Sequence, residues 1–239
     1  MVDPEAAGWL GLGVAAGFLL DWAAVGLGWK AVKPFTKPLA MLMVILWTAW
    51  RSPAGISLAV GWLLAAQAFG LLGDILLLFP EKAFSLGLGA FLMGHIIYLG
   101  LLISVLPGLW VGSISFFVPL GWILVGLVCW SAILILIYRL FKPLPGQKGV
   151  TKWLWVAIQA YSWILSAMAA LTLVAGLQSN GPIPGRVALP LGALLFLVSD
   201  SMLTYNRFIQ PFDQAQLWVR ITYHLAQFSL AWGFLAMLG

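Results

Sequence analysis

Residues 55–79 read GISLAVGWLLAAQAFGLLGDILLLF, twenty-five positions with one ionisable side chain, Asp74. A helix rises ~1.5 Å per residue, so about 20 apolar residues cross a hydrocarbon core. This run is long enough, and it is continuous where a barrel strand would alternate. Seven further stretches of the same kind flank it, at about 8–29, 35–50, 83–106, 114–138, 153–177, 187–206 and 217–238. The second is short and starts between Pro34 and Pro38, which makes it the weakest crossing. The first does not read as a signal peptide: Asp3 and Glu5 stand where a basic segment belongs, and Asp21 interrupts the apolar run.

Composition agrees with a lipid solvent. The chain has 239 residues, 63% hydrophobic and 8% charged, against ~25% charged in soluble domains. Nineteen charged side chains cannot cover a soluble protein of 25.9 kDa. A cytosolic enzyme, a disulfide scaffold built on the lone Cys129 and a nucleic-acid-binding domain are therefore excluded. The expected fold is all-α: one bundle of eight transmembrane helices over residues 1–239, multi-pass in a bacterial inner membrane.

Lys and Arg set the orientation. Ten of them (Lys30, Lys33, Lys37, Lys82, Arg139, Lys142, Lys148, Lys152, Arg207 and Arg220) fall in or beside the odd-numbered connections, and two, Arg51 and Arg186, in the even-numbered ones. Cations accumulate on the cytoplasmic face, which places both termini outside. Trp9, Trp29, Trp50, Trp110, Trp153 and Trp218 stand at span ends, as interfacial anchors do. Gly70, Gly73, Gly87, Gly94, Gly121 and Gly126 lie within spans, where small residues let helices approach closely.

Polar groups inside hydrocarbon mark where chemistry could occur. An Asp near mid-span costs about 2.5–3.5 kcal/mol on insertion scales. The candidates are Asp21, Asp74, Asp200, His95 and His224, with Gln67, Tyr98, Tyr161, Asn206, Tyr223 and Gln227 as possible partners. From the rise per residue, Asp74 lies roughly 9 Å from the cytoplasmic ends, Asp200 and His224 roughly 10 Å, and Asp21 about 13 Å. A shared depth on four helices points to a site. His95 with Tyr98, His224 with Gln227, and Tyr223 with Gln227 share helix faces at i, i+3 or i, i+4. The plain alternative for such pairs is hydrogen-bonded glue between helices, and it weighs most for Gln67 and Tyr161.

Several segments then resemble one family. Leu72-Gly73-Asp74-Ile75-Leu76-Leu77, Gly94-His95-Ile96-Ile97-Tyr98, and Ser199-Asp200-Ser201 leading to Asn206-Arg207-Phe208 are similar to the YhhN family, the transmembrane protein 86 group that includes the lysoplasmalogenases. Lys37-Pro38-Leu39, Tyr223 and Ala226-Gln227 look like further landmarks of it. The resemblance implies an eight-span membrane enzyme that cleaves the vinyl ether of lysoplasmalogen, a lysophospholipid, to a fatty aldehyde and a glycerophospho-base. It also implies that Asp74 and Asp200 are the catalytic pair; Asp21 lies outside the pattern.

The residues suit that chemistry. Vinyl ether hydrolysis starts with a proton delivered to carbon and passes through an oxocarbenium ion that water captures. One carboxyl must hold its proton while a second, as carboxylate, steadies the cation or activates water, as in glycosidase pairs. His95, Tyr98, Tyr223 and His224 would orient water or hydrogen-bond the pair. Lys37, Lys82, Arg207 and Arg220 would meet the phosphate of the lysolipid, and membrane lipids would surround the bundle. No cofactor is expected, and no metal, since no closely spaced ligand motif is present. A zinc hydrolase, a proton-coupled transporter with Asp and His as relay, and a lipid-binding protein without chemistry are the competing classes. Metal analysis, vesicle flux and dispensable aspartates, respectively, would identify them.

Overall fold

In a computed structural model the chain is described over residues 4–52, 56–105, 117–142, 145, 147, 149–178 and 182–238; side chains 4–7, 80–82, 105 and 117–120 are excepted. The side chain of Lys82, and Trp110 and Lys148 altogether, therefore lie outside the described residues. The described residues form eight helices and no strand: α1 (Pro4–Gly26), α2 (Lys33–Arg51), α3 (Leu58–Leu76), α4 (Pro80–Val105), α5 (Phe117–Phe141), α6 (Lys152–Gln178), α7 (Ile183–Phe208) and α8 (Ala215–Leu238). Seven are long and apolar enough to cross a membrane. The exception is α2, which carries Lys33, Lys37 and Arg51.

Local chemistry sets the helix ends. Ser57 caps α3 by accepting from the Val60 amide at 3.3 Å, and Thr151 caps α6 by accepting from Leu154 at 3.1 Å. Gly28, at φ 71°, takes the left-handed conformation that ends the first hairpin arm. Arg186, one of the two cations on the sparse side, donates to the carbonyl of Gly176 at 2.9 Å and so closes the end of α6. The prolines of α2 do not break it. Pro34 lies in the first turn, where amides have no helical partner, and Pro38 removes a single hydrogen bond one turn later.

Packing settles how α2 lies. Along α1, Trp47 meets Gly11, Met43 meets Gly13, Ala40 meets Gly17, and Thr36 meets Asp21. Along α3, Lys37 meets Asp74, Met41 meets Gly70, and Thr48 meets Gln67. The falling partner numbers make α2 antiparallel to both neighbours and coextensive with them. The centre of the bundle is α8, which packs most extensively on α7 and also touches α1, α2 and α3. On the other side α6 joins α4, α5 and α7, and α5 is peripheral, exposing Leu124, Val128, Ile135 and Leu136. Such apolar surface suits lipid.

Small residues do the packing expected of them where helices cross. A Cβ on Gly73 would stand 2.8 Å from the Phe91 ring, on Gly70 2.9 Å from Gln227 Nε2, on Gly87 2.9 Å from Leu77, and on Gly94 3.0 Å from the Ala66 carbonyl. Gly126 makes an ordinary contact with Val174, and Gly121 faces open space, so those two are not close-approach positions. The α7–α8 contact rests on Gly185, Gly192 and Gly233, which face Ala236, Leu230 and Leu189 with no room for a Cβ. Trp9, Trp29, Trp50, Trp153 and Trp218 are all exposed at helix ends, in keeping with interfacial anchoring.

Candidate active site

The end of the bundle where Lys30, Lys33, Arg207 and Arg220 gather holds a cavity of about 590 Å³. It is walled by the start of α2, the end of α3, the start of α4, the end of α7 and the start of α8. Asp74 and Lys37 reach it from the third and second helices.

Asp74 is fully buried and ion-paired with Lys37, Nζ to Oδ1 at 2.6 Å. The Tyr223 hydroxyl donates to its other oxygen at 2.9 Å. The ammonium of Lys37 lies 4.6 Å from the centroid of the Tyr223 ring and 5.8 Å from that of Phe91, two cation–π contacts that hold it in place. Behind this cluster a chain of hydrogen bonds continues into the core: Gln227 Nε2 donates to Tyr223 Oη at 3.4 Å, and Tyr98 Oη donates to Gln227 Oε1 at 3.0 Å. Tyr98, Tyr223 and Gln227 thus belong to one network with Asp74; of the pairs expected from helical spacing, Tyr223 and Gln227 stay together, whereas His95 and His224 bond in other clusters than Tyr98 and Gln227.

Asp200 belongs to a second cluster. The Tyr161 hydroxyl donates to its Oδ2, and His95 Nε2 is 2.9 Å from that hydroxyl and 3.8 Å from Oδ2. Asp200 borders a narrow apolar pocket with Leu88, Ile137, Phe141, Leu165 and Leu197. Tyr161 makes the interhelical bond that was its plainer reading, from α6 to α7, and its partner is a candidate catalytic carboxyl. No hydrogen bond or ion pair joins Asp74 to Asp200 among the described residues. Rings bridge the two clusters: His95 packs edge-on to Phe196 at 4.4 Å, and Phe196 on Tyr223 at 5.4 Å. On α7, Asp200 lies on the same helix face as Arg207 and two turns deeper, within one turn of Leu203, the innermost α7 residue of the cavity wall.

A third cluster surrounds Asp21. Arg220 forms an ion pair with its Oδ1, and Thr36 donates to the same oxygen at 2.6 Å. His224 Nε2 stands 3.8 Å from Oδ2, while His224 Nδ1 accepts from the Trp22 indole at 3.1 Å. An indole N–H only donates, so Nδ1 is the unprotonated nitrogen. His224 therefore faces Asp21 and not Asp74 or Asp200, a departure from the expectation that it serves the motif pair. It stacks on Phe18 at 4.8 Å, which keeps its ring turned toward α1.

Asn206 accepts from the Phe212 amide at 3.3 Å and shapes the α7–α8 turn at the cavity rim. Arg207 lies over the Phe84 ring at 4.2 Å. Gln67 donates to Thr48 at 2.9 Å and makes the interhelical glue that was its plainer reading. Sequence reading missed Thr36, Trp22 and Phe196, which carry no signal apart from their neighbours in space. It also gave Lys37 to the phosphate without seeing its carboxylate partner. Among the described residues no three His, Cys, Asp or Glu side chains converge.

The model of the YhhN family matches residues 32–234. The chain is 30% identical over 217 residues to lysoplasmalogenase TMEM86B of Mus musculus, covering 89% of this chain and 79% of that protein. It is 28% identical over 241 residues to a lysoplasmalogenase of Mycobacterium bovis, covering 95% and 82%. An uncharacterized membrane protein YhhN of Escherichia coli is 30% identical over 140 residues, 58% of this chain and 53% of that one. No solved structure matches the chain.

Proposed function

Because the chain belongs to the YhhN family, we propose that it hydrolyses the vinyl ether of a lysoplasmalogen within a bacterial inner membrane, with Asp74 and Asp200 as base and acid. The observation that carries this reading is a buried carboxylate, Asp74, lining a cationic cavity large enough for a lysolipid headgroup. The relatives that bear the name lysoplasmalogenase align over most of the chain, and that supports the bond class.

The local charges favour one division of labour. Asp74 has an ammonium partner and so carries the negative charge suited to steadying an oxocarbenium ion or accepting a proton from water. Asp200 meets a phenol and an imidazole, groups through which a proton can be shared and replaced. The acid protonates the β-carbon of the alkenyl chain, and the π electrons form that C–H bond. Water adds to the resulting cation at the α-carbon and loses a proton to the base. The hemiacetal collapses to the aldehyde, and the glycerol oxygen leaves with a proton. Tyr223 fixes Asp74, while Tyr161 and His95 fix Asp200.

The test is aldehyde release from vinyl-ether and ester lysolipids by purified protein, with D74N and D200N as comparisons. Each substitution is expected to cut turnover by about 10²–10⁴-fold, the worth of one acid or base, without loss of the folded species in size-exclusion chromatography. Full activity in both folded variants would overturn the mechanism. Transport without cleavage would overturn the activity.

A further inference from the structure

Of the two motif acids, Asp200 keeps part of its side chain open, 14% against none for Asp74. It lines the narrow pocket between α4, α5, α6 and α7, whereas Asp74 lines the cationic cavity. The two spaces differ in kind. The cavity measures about 590 Å³, and the pocket about 20 Å³, room for about one water-sized group. The pocket is polar where Tyr161, Asp200, Ser201 and Thr204 meet. Its other hydroxyl, that of Ser162, is bonded within its own helix, to the Ile158 carbonyl at 2.8 Å. Leu165 and Leu197 lie one turn further along α6 and α7, ~5–6 Å toward the bilayer midplane, and make that end apolar. The outer wall is Ile137 and Phe141 of α5. That helix packs chiefly on α6 and exposes Leu124, Val128, Ile135 and Leu136.

Protonation falls on the second carbon of the alkenyl chain, so the chain begins beside Asp200 while the glycerol lies toward Asp74. From there the hydrocarbon has two ways to run. In the cavity it would lie against ammonium and guanidinium groups and displace their water. In the pocket it meets Leu165, Leu197, Ile137 and Phe141, which take up apolar surface at no such cost. We propose that this pocket receives the first carbons of the alkenyl chain, that the chain then passes between α5 and α7 into lipid, and that Ile137 and Phe141 set the width it tolerates. The pocket at rest is narrower than a chain, so the chain enters as those two side chains turn aside. A helix held chiefly by α6 leaves them free to do so. The inference rests on Asp200 as the acid and adds where the hydrocarbon lies.

Two arms test it on the full chain in nanodiscs. In the first, kcat/KM is compared for 1-hexadecenyl and 1-ethenyl lysolipids with the same headgroup, the second having the vinyl ether but no tail. I137W fills the pocket and is expected to lower the ratio of long to short substrate about tenfold, through KM, the worth of about two displaced methylenes. L136W, on the neighbouring lipid-facing position, is expected to leave the ratio unchanged. A merely structural defect would lower both substrates alike, and an unchanged ratio in I137W would overturn the proposal. The second arm needs neither a variant nor turnover. A 1-alkyl lysolipid, whose saturated ether is not cleaved, carries a photoreactive diazirine on the fourth carbon of its chain. Cross-links are expected on residues 133–141 and 193–201, and excess unlabelled lysolipid should suppress them. Cross-links confined to α2 and α3, or the same pattern from a two-chain phospholipid bearing the same diazirine, would overturn the assignment. Absence of aldehyde together with suppressible cross-links on α5 and α7 would defeat the hydrolase reading and still support the chain site.

Discussion

Lys37 sits in the second turn of α2, and its ammonium reaches Asp74 at 2.6 Å while its side chain remains mostly buried. Two opposite charges removed from water depend on each other: deleting one strands the other, at a cost of about 3–5 kcal/mol, whereas removing both is often neutral. K37M is therefore expected to lower thermal stability in detergent clearly, and the K37M/D74N double variant to recover most of that loss without recovering aldehyde release. A double variant as unstable as K37M would show that the stem of Lys37 matters for packing and its charge does not. Asp200 is set differently, with Tyr161 and His95 as its partners. Two aspartates with the same sequence prominence thus stand in unlike surroundings, and only their surroundings distinguish their roles.

At the scale of helices, the α7–α8 contact holds the two halves of the site together, because α7 carries Asp200 and α8 carries Tyr223. A Cβ at Gly233 would stand 2.6 Å from Leu189 Cα, a backbone atom that cannot swing aside. G233A should cost about 1–3 kcal/mol by overpacking. G121A on peripheral α5, where nothing lies within 4 Å, should stay within about 0.5 kcal/mol of the parent or gain slightly from helix propensity. Unfolding temperatures in one detergent compare the two, and equal values would refute the packing argument. Helix propensity favours Ala at both positions, so the sign at Gly233 comes from its neighbour.

For the whole molecule, the side on which the cavity opens follows from charge. Lys30, Lys33, Arg207 and Arg220 surround its mouth, and they belong to the ten cations that the positive-inside rule assigns to the cytoplasm. That orientation with eight crossings requires α2 to span, and its antiparallel register with α1 and α3 supports it. In a C129A background, K30C is expected to react with a membrane-impermeant maleimide only from the cytoplasmic face, and R51C only from the outer face. Labelling of both from one face would leave α2 as a non-spanning helix and reverse every later crossing.

Much of this was legible before any coordinates. Hydrocarbon admits only helices and closed barrels, and continuous apolar runs of this length without alternation leave helices, so each carboxyl buried in such a run stands out by its cost. Asp74, Asp200 and Asp21 are visible for that reason. Their partners are not, because Tyr161, Thr36 and Arg220 lie 39, 15 and 199 positions away from the acids they serve. Periodicity links residues within one helix; which helix lies opposite is fixed by the packing of small residues and rings between helices. Apolar run length, charge and the cost of burying carboxyls were enough to specify a membrane bundle with buried acids near its cationic end. The division of these acids into three clusters, one with Lys37, one with Arg220 and one with Tyr161, emerges when the helices pack, since each pairing is a contact between separate helices.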